Sequence, residues 1–250
     1  MVPELIQAAL LLAGAMVASE IGFQLGRLSG PRDEAFSKQL SVISGATFAL
    51  VAFLIGFGFS GAATRYVDRL DLVVKEANAL GTAYLRADVL PQPARGELQS
   101  ALRDYARGRV ALLKTETREE AQPLLQAVGP EQQRMWEIAL RGSGGNAQIM
   151  RLVLPPLNEV IDLHTTHLAS ARRHIPTAIM VALLISAALS LALASFANGQ
   201  AGRRFPVLNF VYGFALATAL WMTIDLDHPR RGLIQETIQP LIETLQSMKS

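Results

Sequence analysis

The chain has 250 residues, of which 50% are hydrophobic and 18% are charged, and its mean hydropathy is +0.28. So high an apolar share excludes a disordered chain. The composition also fits an ordinary soluble domain poorly, because soluble domains carry about 25% charged residues. The formal net charge is only +2, so no strongly basic field points to nucleic acid. The absence of cysteine excludes disulfides, iron–sulfur ligation and thiol nucleophiles.

Four apolar segments predict four transmembrane helices, over residues 5–28, 40–63, 175–196 and 205–226. Helices of about 20 residues match the roughly 30 Å hydrocarbon core at 1.5 Å per residue. The second and third segments contain no ionisable residue, whereas a soluble core helix shows a polar stripe. The first segment differs from a signal peptide, because the residues before it are acidic and its apolar run is longer.

The first segment contains one carboxylate, Glu20, close to Arg27. A carboxylate within a span is costly and usually faces protein or water. Gly22 and Gly26 follow it at a spacing that allows close helix packing. This favours a structural hydrogen bond between Glu20 and a neighbouring helix, and a functional role for Glu20 is the alternative.

The second segment has a stripe in which Ala49, Phe53 and Phe57 lie four residues apart and share one helix face. Gly45 and Gly61 extend the line in both directions. Ordinary helix packing is the commoner explanation of such a stripe. The alternative is a hydrophobic collar around a pore in a symmetric oligomer.

Residues 64–174 have the size of one domain and predict helices throughout. No proline or glycine pair separates Thr64 from the preceding span, so we expect one continuous helix that ends before Pro91. Further helices are predicted over residues 97–117, 131–140 and 147–172, with a flexible turn at 142–145 and a kink or break at Pro155-Pro156.

The usual catalytic signatures are missing from the sequence: there is no phosphate-binding loop, nucleophile elbow or zinc-binding H-E-x-x-H. The one metal-like cluster is formed by His164 and His167, with Glu159 and Asp162 upstream. A polar helix face near the membrane is the favoured interpretation of this cluster. We therefore expect no metal, no cofactor and no enzyme activity.

The predicted organisation has four parts: two spans in 1–63, a helical domain in 64–174, two spans in 175–228 and a tail in 229–250. An even number of spans places both termini on the side of the domain. Flanking lysines and arginines are slightly more numerous there than in the short loops, which favours a cytoplasmic domain and cytoplasmic termini.

The residues that follow the phenylalanine stripe resemble the bestrophin pattern. In this chain Gly56-Phe57 is followed by Arg65-Tyr66. In bestrophins a pore helix has a Gly-Phe pair, and an arginine and an aromatic residue follow it at a similar distance. Further motifs resemble the bacterial bestrophin-like family. They are Glu20-Ile21-Gly22-Phe23, Glu76-Ala77-Asn78-Ala79-Leu80-Gly81-Thr82, Leu157-Asn158-Glu159 and Asp225-Leu226-Asp227-His228-Pro229.

The resemblance implies an all-α membrane protein that forms a bestrophin-like oligomer, expected to be a pentamer in the bacterial inner membrane. Its central pore would be lined by the second span and would pass monovalent anions such as chloride. Its partners would thus be the lipid bilayer, further copies of the chain and the permeating ions.

By its position in the bestrophin pattern, the resemblance places the neck of the pore at Phe57, Phe53 and Ala49. Of these three residues, Ala49 is small. Arg65 and Tyr66 fall at the junction between the second span and the domain, and a second constriction falls within residues 149–154. Arg230 and Arg231 stand where animal bestrophins have the acids of a calcium clasp, so we expect no such calcium site.

Two other classes of function are alternatives. A non-conducting membrane scaffold or sensor, whose helical domain binds a cytosolic partner, would use the same helices without a central axis. A membrane enzyme is the third possibility, for which no nucleophile–base or metal constellation stands out.

Overall fold

The computed structural model describes residues 2–30, 33–115, 117–228 and 232–248. All regular structure in these ranges is helical, which confirms the predicted all-α class. The helices are α1 Val2–Ser29, α2 Glu34–Arg86, α3 Ala94–Lys114, α4 Arg118–Ser143, α5 Ala147–Ala171, α6 Thr177–Gln200, α7 Pro206–Asp227 and α8 Gln239–Ser247.

Four helices of the described chain, α1, α2, α6 and α7, are long and apolar enough to cross a membrane. Helices α1 and α2 contain the first two predicted apolar segments, and α6 and α7 begin two residues and one residue after the predicted starts of the other two. A helix satisfies its backbone N–H and C=O groups internally, which the hydrocarbon core of a bilayer requires. The four predicted transmembrane helices are therefore present.

The chain folds into two compact units, Met1–Tyr66 with His174–Ile234, and Val67–Arg173 with Gln235–Ser250. We call them the membrane unit and the helical unit. Helix α2 has 53 residues and runs through Tyr66 without interruption, so the prediction of one continuous helix is confirmed. The C-terminal helix α8 belongs to the helical unit, in which Leu241 is fully buried.

In the membrane unit, α1 and α6 approach each other through glycines. A Cβ atom at Gly22 would lie 2.0 Å from the carbonyl oxygen of Ala192, and one at Gly26 would lie 2.1 Å from that of Phe196. Gly199 of α6 is equally close to the backbone of α1 at Phe23. Small residues are thus required at all three positions, as the glycine spacing in α1 predicts.

A polar network joins α1, α6 and α7 near this contact. The hydroxyls of Ser19 and Ser195 are 2.7 Å apart, and the side-chain amide of Asn209 donates to both at 3.2 and 3.0 Å. Asn198 donates to the side-chain oxygen of Asn209 at 3.3 Å. Hydrogen bonds of this kind between helices add to close packing where lipid provides no hydrophobic driving force.

The membrane-spanning part of α2 buries one face in the membrane unit. Val51 and Ile55 of α2 pack against Leu183 and Ala187 of α6 and Leu220 of α7. The opposite face of α2 is exposed among the residues that the structure describes.

The helical unit has one continuous apolar core. Leu80 of α2, Leu102 and Tyr105 of α3, Met135 of α4 and Leu157 of α5 are all fully or almost fully buried in it. Every long helix of this unit therefore packs its apolar face into the same core.

Helix α4 is longer than predicted, since it begins at Arg118 rather than near residue 131 and contains Pro123 and Pro130. Thr117 caps its first turn by accepting a hydrogen bond from the backbone N–H of Glu120. Burial of Ala121 and Val128 holds the proline-containing segment in the helix. The predicted short helix near residues 131–140 is thus wrong in its start.

Two further predictions in this unit are corrected. Gly142 is not part of a flexible turn: it is buried in α4, where a Cβ atom would lie 2.5 Å from that of Ala94. The turn itself uses Gly144 and Gly145, with φ of +55° and +76°. Helix α5 is not broken at Pro155-Pro156, because burial of Val153 and Leu157 on either side outweighs the lost backbone donors.

The close contact between α1 and α6 predicts a strong difference between two glycines of α1. Gly22→Ala places a methyl group against the backbone of Ala192 and should destabilise the protein by about 1–3 kcal/mol. Gly14→Ala meets no atom within 4 Å and should leave stability unchanged or slightly raised. Thermal unfolding of both variants in the same detergent measures this difference, and equal melting temperatures would contradict the packing role of Gly22.

Candidate functional site

The candidate site is the exposed face of the membrane-spanning part of α2. The side chains of Phe53 and Phe57 are 67% and 75% exposed, and Ala49 is also exposed. The two rings stack with centroids 6.3 Å apart. All three residues predicted to form the neck therefore lie on one free face of a single helix.

A stripe of small residues lies beside the two phenyl rings on the same free face. It consists of Gly45, Ala49, Ala52, Gly56 and Ser60, all of which are exposed. No atom lies within 4 Å of a Cβ atom built on Gly45 or on Gly56. Among the described residues there is thus room for a methyl group at both glycines.

Exposure alone does not separate this face from one that touches lipid. Helix α7 has a similar pair, Phe210 and Phe214, which are also exposed and stack with centroids 6.1 Å apart. The exposed neighbours of that pair are large aliphatic residues, Val207, Leu208 and Val211. What distinguishes the α2 face is its glycine and alanine stripe, which permits the backbone of another helix to approach closely.

Arg65 and Tyr66 lie at the end of the α2 segment that belongs to the membrane unit. The Arg65 Nε donates to an Asp227 carboxylate oxygen at 3.1 Å. The two carboxylate oxygens of Asp227 also accept from the backbone N–H of Ile175, at 3.1 and 2.9 Å. Tyr66 packs against the small cluster of Ala62, Ile175 and Leu226. These contacts join the middle of α2 and the end of α7 to the segment that precedes α6.

Asp225 also binds backbone N–H groups of a neighbouring segment. Its carboxylate accepts hydrogen bonds from the backbone N–H groups of Leu233 and Ile234. Gly232 approaches the carboxylate closely with a φ of +109°, where a larger residue would be strained. Arg230 and Arg231, on which the predicted absence of a calcium clasp rests, lie outside the described residues.

Glu20 is exposed and bound to a loop arginine rather than to a neighbouring helix. Arg204, between α6 and α7, donates to both carboxylate oxygens of Glu20 at 2.8 and 3.0 Å. The guanidinium carbon of Arg204 also lies 4.0 Å from the ring centroid of Phe23. The pair is thus bidentate and stacked, a geometry for which arginine is suited.

The helical unit has a buried polar cluster that the sequence pattern does not predict. Glu76 of α2 accepts from Nε and Nη2 of Arg109 on α3, and Nδ1 of His167 on α5 lies 3.1 Å from Glu76 Oε2. Glu76 and Arg109 are both almost fully buried. A buried ion pair of this kind requires such additional hydrogen bonds to offset its desolvation.

His164 and His167 are also buried, so their predicted place on a polar helix face is wrong, whereas Glu159 and Asp162 are exposed. Burial, reinforced by the positive charge of Arg109, lowers the pKa of His164 to about 4, which keeps this residue neutral at pH 7. Among the residues that the structure describes, no group of three metal-ligating side chains is found.

The signal that could have revealed the cluster is periodicity. Arg109 continues the core-facing positions of Leu98, Leu102 and Tyr105 in α3. A charge at such a position requires a partner of opposite sign, and Glu76 falls one residue before the buried Ala77.

A family model described as the bestrophin-like domain matches residues 11–241 of the chain. No protein with a curated description matches it. A tyrosine-to-alanine variant of a bacterial bestrophin homolog from Klebsiella pneumoniae has a TM-score of 0.67 at 15% identity, with 97% of this chain and 95% of that chain covered. Another structure of a bestrophin homolog from this organism has a TM-score of 0.61 at 16% identity, with 98% and 95% covered.

The buried ion pair generates a stability prediction. Arg109→Met leaves the Glu76 carboxylate buried without its main partner and should cost about 3–5 kcal/mol. Arg107→Met removes an exposed ion pair with Asp104 on the same helix and should cost at most about 1 kcal/mol. Thermal unfolding of the two variants at pH 7 compares them.

The control for a simple loss of side-chain volume is the double variant Glu76→Gln with Arg109→Met. Because it removes both charges, it should recover part of the stability lost in Arg109→Met. A double variant no more stable than the single one would mean that the charge of Glu76 is not what destabilises the helical unit.

Proposed function

Because the chain belongs to the bestrophin-like family, we propose that its copies assemble as a homo-oligomeric ion channel, a pentamer with one central pore. In this proposal the membrane-spanning part of α2 lines the pore. The assembly lies in the bacterial inner membrane, with the helical unit and both termini in the cytoplasm. The observation that carries the proposal is the free face of α2, which combines stacked phenyl rings with a stripe of small residues.

The small residues favour a protein partner over lipid on part of this face. Lipid chains adapt to any apolar surface and gain nothing from glycine, whereas two helices pack more closely when their contact residues are small. Gly45 and Gly56 serve no packing purpose within the protomer. In the proposed ring they receive the neighbouring α2, and the same residues on each subunit meet a different surface of the next.

The phenyl rings then point toward the common axis. Phe53 and Phe57 form two successive hydrophobic rings of the neck, and Ala49 leaves the next level wider. A hydrophobic constriction of this kind gates by loss of water, so a small change of its radius switches conduction.

The chemistry of this face suits monovalent anions such as chloride. Residues 40–63 contain no aspartate or glutamate, the residues that form charged rings in many cation channels. The edge of a phenyl ring has positive partial charge, so rings packed side by side can present that edge to a passing anion.

The helical unit offers a candidate for the second constriction. Within residues 149–154, the large apolar side chain that is exposed is Leu152, at 46%. It lies on α5, one turn before Pro155-Pro156. We place the second narrow point of the proposed pore at this residue.

Cysteine cross-linking tests the ring. The chain has no native cysteine, so Phe57→Cys and Phe214→Cys each introduce a single thiol on an exposed phenyl position. A short bismaleimide should convert the first variant to covalent dimers in up to about four fifths of chains, since an odd ring of five leaves one subunit unlinked. The second variant should give few dimers, because its thiol faces lipid.

Equal dimer yields from the two positions would contradict a central axis at Phe57. They would favour the alternative in which the protein is a membrane scaffold whose α2 face contacts lipid. A yield from Phe57→Cys that approaches completion would contradict the pentamer and indicate an even number of subunits.

Anion flux tests conduction directly. Liposomes that contain the protein should release chloride faster than empty liposomes, and Phe57→Ala should raise the flux by roughly threefold or more because it widens the hydrophobic neck. Phe214→Ala removes the matched ring from α7 and should leave the flux unchanged. The channel proposal fails if protein and empty liposomes release chloride equally, or if both variants change the flux alike.

A further inference from the structure

The membrane unit has an open cleft between the beginning of α2 and the end of α6. Its volume is about 480 Å³, within the range of about 300–1,000 Å³ typical of ligand sites. The residues that line it include Leu40, Ser44 and Phe48 from α2, and Ala194, Ala197 and Gln200 from α6.

Two residues that line this cleft each have a polar side-chain atom with no hydrogen-bond partner among the residues that the structure describes. These atoms are the hydroxyl oxygen of Ser44 and the side-chain amide nitrogen of Gln200, and both atoms are buried. Ser44 as a whole is only 8% exposed. A buried polar group without a partner costs about 1–3 kcal/mol, so an occupant of the cleft that accepts hydrogen bonds from these two groups would be stabilised there.

The chemistry of the cleft restricts what that occupant is. The described residues that line it include no ionisable side chain, so a charged group would enter without a counter-charge. Ser44 offers a hydroxyl donor and Gln200 an amide donor. Leu40, Phe48 and the alanines offer apolar walls. The cleft thus fits an uncharged acceptor oxygen attached to an apolar chain.

The position of the cleft along the helices restricts the occupant further. Ser44 lies four residues after the start of the apolar segment at Leu40, about 6 Å along the helix axis. Gln200 is the last residue of α6, beyond the end of its apolar segment. Both residues therefore lie near the edge of the hydrocarbon layer, the level between the headgroups and the acyl chains.

We propose that this cleft binds a membrane phospholipid by the ester carbonyl of one acyl chain. Ser44 and Gln200 donate hydrogen bonds to the carbonyl oxygen, and the chain lies against Leu40, Phe48 and the alanines of α6. The site lies on a groove of α2 separate from the stripe that Phe53 and Phe57 occupy. The inference does not depend on whether the protein conducts ions.

The test measures lipid retained by the intact protein in detergent micelles, with native mass spectrometry as the readout. Phosphatidylglycerol is titrated into delipidated wild-type protein and into Ser44→Ala, Gln200→Met and the double variant. Each single variant should weaken saturable binding roughly fivefold, the value of one hydrogen bond of about 1 kcal/mol. Thr47→Val, on the same helix but outside the cleft lining, should bind as the wild type does, and melting temperatures confirm that each variant is folded.

Palmitic acid in place of phosphatidylglycerol separates the two sources of an acyl carbonyl. Tighter binding of the phospholipid, weakened by Ser44→Ala and Gln200→Met, supports the proposal. Binding of palmitate in preference to the phospholipid would overturn the ester assignment, because the cleft would then accept a carboxylate. If neither lipid binds, or if binding is unchanged in the double variant, the proposed lipid site is wrong.

Discussion

The division of α2 into a buried face and a free face is the constraint on which the rest of the structure depends. In lipid no hydrophobic force drives a helix face toward protein, so side-chain size and hydrogen bonding decide which faces meet. Val51 and Ile55 attach α2 to α6 and α7, while the exposed rings of Phe53 and Phe57 stack on each other on another side of the helix. Within the described residues, α2 is therefore packed on one side and exposed on the other.

Glycine has two distinct uses in the membrane unit, and the contrast between them supports the proposed assembly. Gly22, Gly26 and Gly199 are each in a place where a methyl group would collide with backbone, so they are explained within one chain. No described atom lies within 4 Å of a Cβ atom built on Gly45 or Gly56, yet both lie on the face that also has the phenyl rings. Glycine in a helix costs about 1 kcal/mol relative to alanine, and in the proposed assembly close packing against a neighbouring chain would offset that cost.

The membrane helices were predictable because length and composition determine them: a charge-free run of about 20 residues has few structures available in lipid. The continuity of α2 followed from the absence of helix breakers after Thr64. A helix break at Pro155-Pro156 and a turn at Gly142 are absent because tertiary packing overrode local preference and burial holds both inside helices. The burial of His164 and His167 was missed because it depends on Glu76 and Arg109, residues brought near them only by folding.

The structure also gives a physical reason for two motifs that resemble the bestrophin pattern and lie far apart in the sequence. Arg65 follows the Gly-Phe pair of α2, and Asp227 belongs to the Asp-Leu-Asp motif that ends α7; the two side chains form one ion pair. Asp227 also accepts the backbone N–H of Ile175 before α6, and Asp225 holds the segment after α7. Removing Arg65 would leave the buried Asp227 carboxylate without its ion-pair partner. The two motifs therefore form one set of contacts that joins α2 to the end of α7 and to the segment before α6.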